Sequence, residues 1–212
     1  MSRVAEEPLP PERFEALLHR RAPAFGLSFD PPVLASLSRY LSELDRWRRR
    51  TNLVGDLTPE ELADHALESA LGAELIAQGA TVIDIGSGAG FPGVPLSIGR
   101  ADLGVTFVES RAKRAAFLRH VIRELGLRKA HVFEGRIERV GGHTFDAATT
   151  RAVGSLAHWI GKGPFLRPAG ELLVWTTKPE ELGSELASRF SLEKTIPIPG
   201  SRRRAIAVYR KV

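Results

Sequence analysis

The chain has 212 residues, 43% hydrophobic and 26% charged, with no cysteine; it can bury one sizeable core, and disulfides, thiolate metal sites and a cysteine nucleophile are excluded. A total of 30 Lys+Arg against 25 Asp+Glu leaves a formal charge of +5, which favours a polyanionic partner. No apolar run approaches the roughly 20 residues that span a bilayer, and the acidic N-terminus lacks a signal-peptide core, so a soluble, cytoplasmic protein is expected.

In chain order, a short helix is predicted around Pro11 to Arg20. Apolar residues at Val33, Leu34, Leu37, Tyr40, Leu41, Leu44 and Trp47 then recur at spacings of three and four, which marks a long amphipathic helix opened by Pro31 and Pro32 behind Asp30. Thr58-Pro59-Glu60-Glu61 reads as the capped start of a third helix. Beyond it, apolar strands alternate with helical patterns. Strands are predicted over Thr81 to Ile85, Val105 to Val108, His131 to Phe133, Phe145 to Thr149, Glu171 to Trp175 and Ala205 to Tyr209. Helices are predicted near Arg111 to Leu125 and Pro179 to Phe190. The alternation predicts an α/β, Rossmann-like, doubly wound and mostly parallel sheet. Residues 1–72 are expected to be a helical extension packed on a core domain of residues 73–212.

Thr81 to Ile98 reads TVIDIGSGAGFPGVPLSI, with four glycines behind the first strand. A dinucleotide fingerprint would be G-x-G-x-x-G, whereas Asp84, Gly86, Gly88 and Gly90 give D-x-G-x-G-x-G, the S-adenosylmethionine-binding pattern of Rossmann-like methyltransferases. Pro92 suits the first turn of a following helix. An acidic residue should end the second strand and accept hydrogen bonds from a ribose; Glu109 stands there.

The absence of cysteine excludes carbon-5 methylation of pyrimidines. The fourth strand runs into Thr150-Arg151-Ala152-Val153-Gly154-Ser155-Leu156 and not into the Asn/Asp-Pro-Pro-Tyr/Phe element of exocyclic-amine methylation. A ring nitrogen with a free lone pair, such as N7 of guanine, needs only alignment with the methyl donor. Basic clusters predict a phosphate-tracking surface. Arg48, Arg49 and Arg50 end the long helix with Arg46, and Arg202, Arg203 and Arg204 precede the last strand. From Arg111 to Lys129 seven Lys/Arg, including Lys113 and Arg114, face one acidic residue. Lys178 is placed on the same surface. His65 reads as a packing residue, and no metal site is expected.

Asn52-Leu53, His65-x-x-Glu68-Ser69, Asp84 through Leu96, Ser110-x-x-Lys113-Arg114 and Arg151-Ala152 together resemble the bacterial 16S rRNA (guanine-N7)-methyltransferase family of the RsmG type, also called glucose-inhibited division protein B. The similarity covers nearly the whole chain. It implies a seven-stranded class I methyltransferase fold, S-adenosylmethionine as cofactor, and 16S rRNA, within the small ribosomal subunit, as partner of a monomer. It further implies that Gly86 and Phe91 line the cofactor pocket, that Ile137 and Glu138 contact the adenine region, and that Arg151 lies at the reaction centre beside the cofactor. Val54, Glu68, Val153-Gly154 and Pro179 depart from the usual family pattern. The alternatives are a small-molecule methyltransferase, which would need a closed pocket without a basic rim, and a non-catalytic RNA-binding module on the same fold.

Overall fold

The computed structural model describes residues 7–151 and 165–212. Helix α1 (Pro11–Arg21), α2 (Pro31–Arg48) and α3 (Pro59–Ala70) come first. Each starts with proline, where the missing N–H is no loss. In α3, the Thr58 side chain accepts from the Glu61 N–H while the Glu61 carboxylate accepts from the Thr58 N–H, a reciprocal cap.

Seven strands follow: β1 (Thr81–Ile85), β2 (Gly104–Glu109), β3 (Ala130–Glu134), β4 (Phe145–Arg151), β5 (Leu166–Thr176), β6 (Phe190–Pro197) and β7 (Ala205–Lys211). They form one sheet in the order β3-β2-β1-β4-β5-β7-β6. The first five are parallel, and β7 runs antiparallel to both β5 and β6. Helices α4 (Gly93–Gly99), α5 (Ala112–Leu125) and α6 (Pro179–Leu186) connect them. Successive strand residues enter opposite cores, as the two-residue period demands. Val82, Phe107, Ile206 and Val208 join Phe14, Leu41 and Leu67 of the first three helices in one cluster. Ile83, Val108, Ala207 and Tyr209 join Leu186 in the other. Both faces are covered, which is why these strands are near-continuous apolar runs.

Three expectations need correction. The predicted helix reaching Phe190 ends at Leu186, and Phe190 opens β6, a strand absent from the sequence reading. β6 lies at the sheet edge with Leu192, Glu193, Lys194 and Thr195 exposed, so it carries no clean apolar alternation. Strand β5 begins five residues before Glu171, because Phe145 pairs with Leu166 while Ala147 pairs with Glu171, and the bulge absorbs Pro168, Ala169 and Gly170. Pro92 caps α4 from outside its first turn. The expectations at Ala152, Val153, Gly154, Ser155 and Leu156 lie outside the described residues. Among the described residues, no helix is long and apolar enough to cross a membrane.

Candidate functional site

The turn after β1 sits at the carboxyl ends of the parallel strands, where open α/β sheets bind ligands. Its glycines serve different ends. A Cβ on Gly93 would lie 2.7 Å from Asp84 Oδ2 and 2.6 Å from the Phe107 ring, so this glycine lets α4 approach β1 and β2. A Cβ on Gly88, at φ +57°, would meet nothing nearer than 3.7 Å. That position is demanded by the backbone, which stays open on its outer side. Gly86 and Gly90 also have positive φ.

Beneath the turn, Asp84 is fully buried. Its Oδ1 accepts from Thr149 Oγ1 at 2.9 Å. Burial pushes this carboxyl up to about 6, against hydrogen bonds from Thr149, Ser87 and Gly93 that favour the anion. Asp84 therefore holds the turn from within. Glu109, at the end of β2, is also buried, and its two oxygens accept from the Gly88 N–H at 3.0 Å and the Arg111 N–H at 2.7 Å. Each oxygen keeps a second lone pair. A turn exposed at Gly86 and with open space at the Gly88 Cβ position, beside an acid with spare acceptor capacity, fits a ligand that carries ribose hydroxyls. Ile137 and Glu138 lie on a single 3-10 turn just past β3; Ile137 packs on the cluster of Ile83 and Val108, and Glu138 is exposed. Phe91 turns away from solvent, its ring edge-on to Tyr40 at 5.5 Å and to His65 at 5.6 Å.

A second centre lies where β4 and β5 end. Arg151 Nη2 contacts Glu68 Oε2 at 2.6 Å, and Arg204 forms an ion pair with the other oxygen of the same carboxylate. Glu68 is 1% exposed. The Trp175 indole N–H donates to the Glu68 main-chain oxygen at 2.7 Å, which ties α3 to β5. A cavity of about 470 Å³ opens beside this cluster, lined by His65, Glu68, Arg151, Trp175, Lys178 and Arg204 among others. Burial, with the Arg151 and Arg204 charges, lowers His65 to about 4, so its ring is neutral at physiological pH.

The basic clusters divide. Arg48 and Arg49 clasp the buried Asp45 at 2.7 and 3.0 Å, and the Leu9 N–H donates to it at 2.8 Å. Burial opposes ionisation of Asp45, yet these donors hold it below the usual carboxylate range. Arg48 also donates to the Leu57 carbonyl. Arg50, Lys113, Arg202 and Arg203 are exposed. Lys178 is exposed and pairs with Glu181 at 2.8 Å. Arg114 is half-buried beside Gly88, with Nη2 3.5 Å from the Asn52 carbonyl. The sequence reading missed Asp45 and Glu68 as anchors. For Asp45 the signal was present, since Arg48 and Arg49 stand three and four residues on, at helix-neighbour spacing. For Glu68 no local signal exists.

The antiparallel β7 set between β5 and β6, the glycine turn and the acid ending β2 define the Rossmann-like methyltransferase fold. The SAM dependent methyltransferase from Aquifex aeolicus superposes with a TM-score of 0.59 at 15% identity, covering 86% of this chain and 98% of that one. Ribosomal protein L11 methylase from Lactobacillus delbrueckii subsp. bulgaricus superposes with a TM-score of 0.57 at 14% identity, covering 71% and 80%. At such identities the likeness speaks for the fold alone. Family membership is more specific. The model of the GidB family, rRNA small subunit methyltransferase G, matches residues 33–195. Ribosomal RNA small subunit methyltransferase G of Stenotrophomonas maltophilia (strain R551-3) is 37% identical over 204 residues, 93% of this chain and 94% of the relative. The protein of that name in Roseiflexus sp. (strain RS-1) is 38% identical over 215 residues, 92% and 91%. The chain belongs to the rRNA small subunit methyltransferase G family.

Proposed function

We propose that this protein transfers the methyl group of S-adenosylmethionine to N7 of a guanine in 16S ribosomal RNA. The observation that carries the reading is the turn exposed at Gly86 and open at Gly88, set against Glu109, in a chain whose relatives are named for small-subunit rRNA methylation. In this reading Gly86, Gly88, Gly90 and Glu109 hold the cofactor, with Ile137 and Glu138 on its adenine side, Asp84 and Phe91 fixing the turn from behind, and Arg151 nearby. The cofactor supplies an electrophilic methyl group on a sulfonium. Arg151 orients the acceptor. Guanine N7 bears no proton at neutral pH, so no general base is required, and His65 stays neutral without serving as one. Arg50, Lys113, Arg202 and Arg203 track phosphates. Residues 1–72 act as a helical extension of the core of residues 73–212, and one chain works as a monomer in the cytoplasm on the small subunit, without a metal.

The test is transfer of a tritiated methyl group onto small subunits that lack endogenous methylation. The expected product is cleaved at the labelled nucleotide by borohydride reduction followed by aniline, because N7 methylation places a positive charge on the ring. A labelled RNA that resists this cleavage overturns the N7 assignment.

A further inference from the structure

Arg151, Glu68 and Arg204 come from three distant parts of the chain, β4, α3 and the turn before β7, yet meet on one carboxylate. Arg204 differs in this from its neighbours Arg202 and Arg203, which are exposed. A guanidinium has five N–H donors; Arg151 also reaches the His65 main-chain oxygen at 3.5 Å, and donors remain on both side chains beyond their contacts with Glu68. Both side chains line the cavity of about 470 Å³, a size usual for a small-molecule site. Its other walls include apolar surface from Trp175, Leu182 and Ile198. Apolar walls bordered by planar, charged donors suit a base extruded from its strand.

We propose that Glu68 is a positioning residue that fixes Arg151 and Arg204 as one double-guanidinium wall of this cavity, and that the cavity receives the acceptor guanine. Arg204 then serves the acceptor pocket and not the outer RNA surface. The inference rests on the methyl-transfer reading above. Its chemistry is specific to guanine: O6 lies beside N7 on the same edge and accepts from guanidinium N–H groups. As N7 takes the methyl group, positive charge passes from the sulfonium to the purine ring. An unpaired arginine at that edge would oppose the change. The Glu68 carboxylate, between the two guanidiniums, leaves the cluster with a net charge of one instead of two. The neutral His65 ring adds none.

The experiment measures methyl transfer to unmethylated small subunits at saturating subunit and cofactor, together with KM for subunits, the salt dependence of RNA binding, and S-adenosylhomocysteine affinity by calorimetry. Glu68→Gln and Arg204→Gln are each expected to slow transfer about 10²-fold through misplacement of the acceptor. KM, salt slope and S-adenosylhomocysteine affinity should change little. Glu68→Asp keeps the charge and should recover part of the rate. The proposal is overturned if both variants transfer at the wild-type rate, if their loss follows a matching loss of cofactor affinity, or if Arg204→Gln acts by raising KM and flattening the salt slope. Should Glu68→Gln not fold, Arg204→Gln decides alone, since that side chain is 42% exposed. A wild-type protein that labels no guanine would instead overturn the function on which the inference rests.

Discussion

Asp45 and Glu68 are both buried carboxylates clasped by two arginines, and they differ in where those arginines come from. The partners of Asp45 stand on the next turn of its own helix and at its end. Glu68 draws on β4 and on the turn before β7, 83 residues away in the case of Arg151. A local clasp closes as soon as its helix forms, and the added Leu9 N–H pins the segment before α1 to α2. The other clasp exists only once the sheet has assembled, and it borders a cavity. The same ionic chemistry thus serves packing in one place and lines a cavity in the other.

The largest expected effect breaks the first of the two. Asp45→Ala removes the buried carboxylate that two arginines and a main-chain N–H share, and loss of one partner from a buried charge cluster costs about 3–5 kcal/mol. Urea denaturation should show that loss, while cofactor affinity of the folded fraction stays at the wild-type value. A variant of undiminished stability would mean that solvent replaces the carboxylate at no cost.

His65 sharpens the comparison from the Glu68 side. Its folded pKa, lowered to about 4 by burial and by Arg151 and Arg204, lies below the ordinary value of about 6.5 in an unfolded chain. Above pH 6.5 both states hold a neutral ring, and the fold keeps its full stability. Between pH 6.5 and 4 the unfolded chain binds a proton that the folded protein refuses, so stability falls as pH falls, by about 3 kcal/mol over the window. His65→Gln should remove that part of the acid sensitivity, read as the difference in denaturation free energy across the same range. Parallel curves for the two proteins would show that the ring titrates normally.

A smaller effect is expected at the glycine turn, where Glu109→Ala removes an acceptor without disturbing either clasp. S-adenosylmethionine should bind more weakly by about 1.5–3 kcal/mol, the size of a charge-assisted hydrogen bond. Circular dichroism should remain that of the wild type. Unchanged affinity in calorimetry would remove Glu109 from the cofactor site.

The legible parts of this molecule were those set by local pattern. The limits of β1 follow from its apolar run and the glycine behind it, and α2 follows from its three-and-four spacing. Glu109 could be placed at a strand end because it follows directly on the apolar run Val105 to Val108, and β2 ends on it. Strand β6 was not legible, since an edge strand with both faces partly wet has no alternation to read. Nor was the fate of individual arginines. Composition shows clusters, but whether Arg204 faces water or Glu68 depends on a residue 136 positions earlier in the chain, and no local rule connects them.

The smallest effect concerns the two arginines that the Glu68 clasp leaves outside. Arg202 and Arg203 are exposed while Arg204 is engaged, so the triplet should split in a salt titration of RNA binding. Each phosphate contact on a single strand releases counterions worth about 0.7 in the slope of log K against log salt, so replacing both residues by glutamine should flatten the slope by about 1.4. The loss of affinity should be uniform across RNA sequences, because a phosphate contact carries no base information. Arg204→Gln should leave the slope where it was. If all three arginines contribute equally, the outer surface extends over the mouth of the cavity and Arg204 belongs to it; if Arg202 and Arg203 contribute nothing, they are ordinary solvated charge and the RNA is held from the side of Lys113 and Arg50.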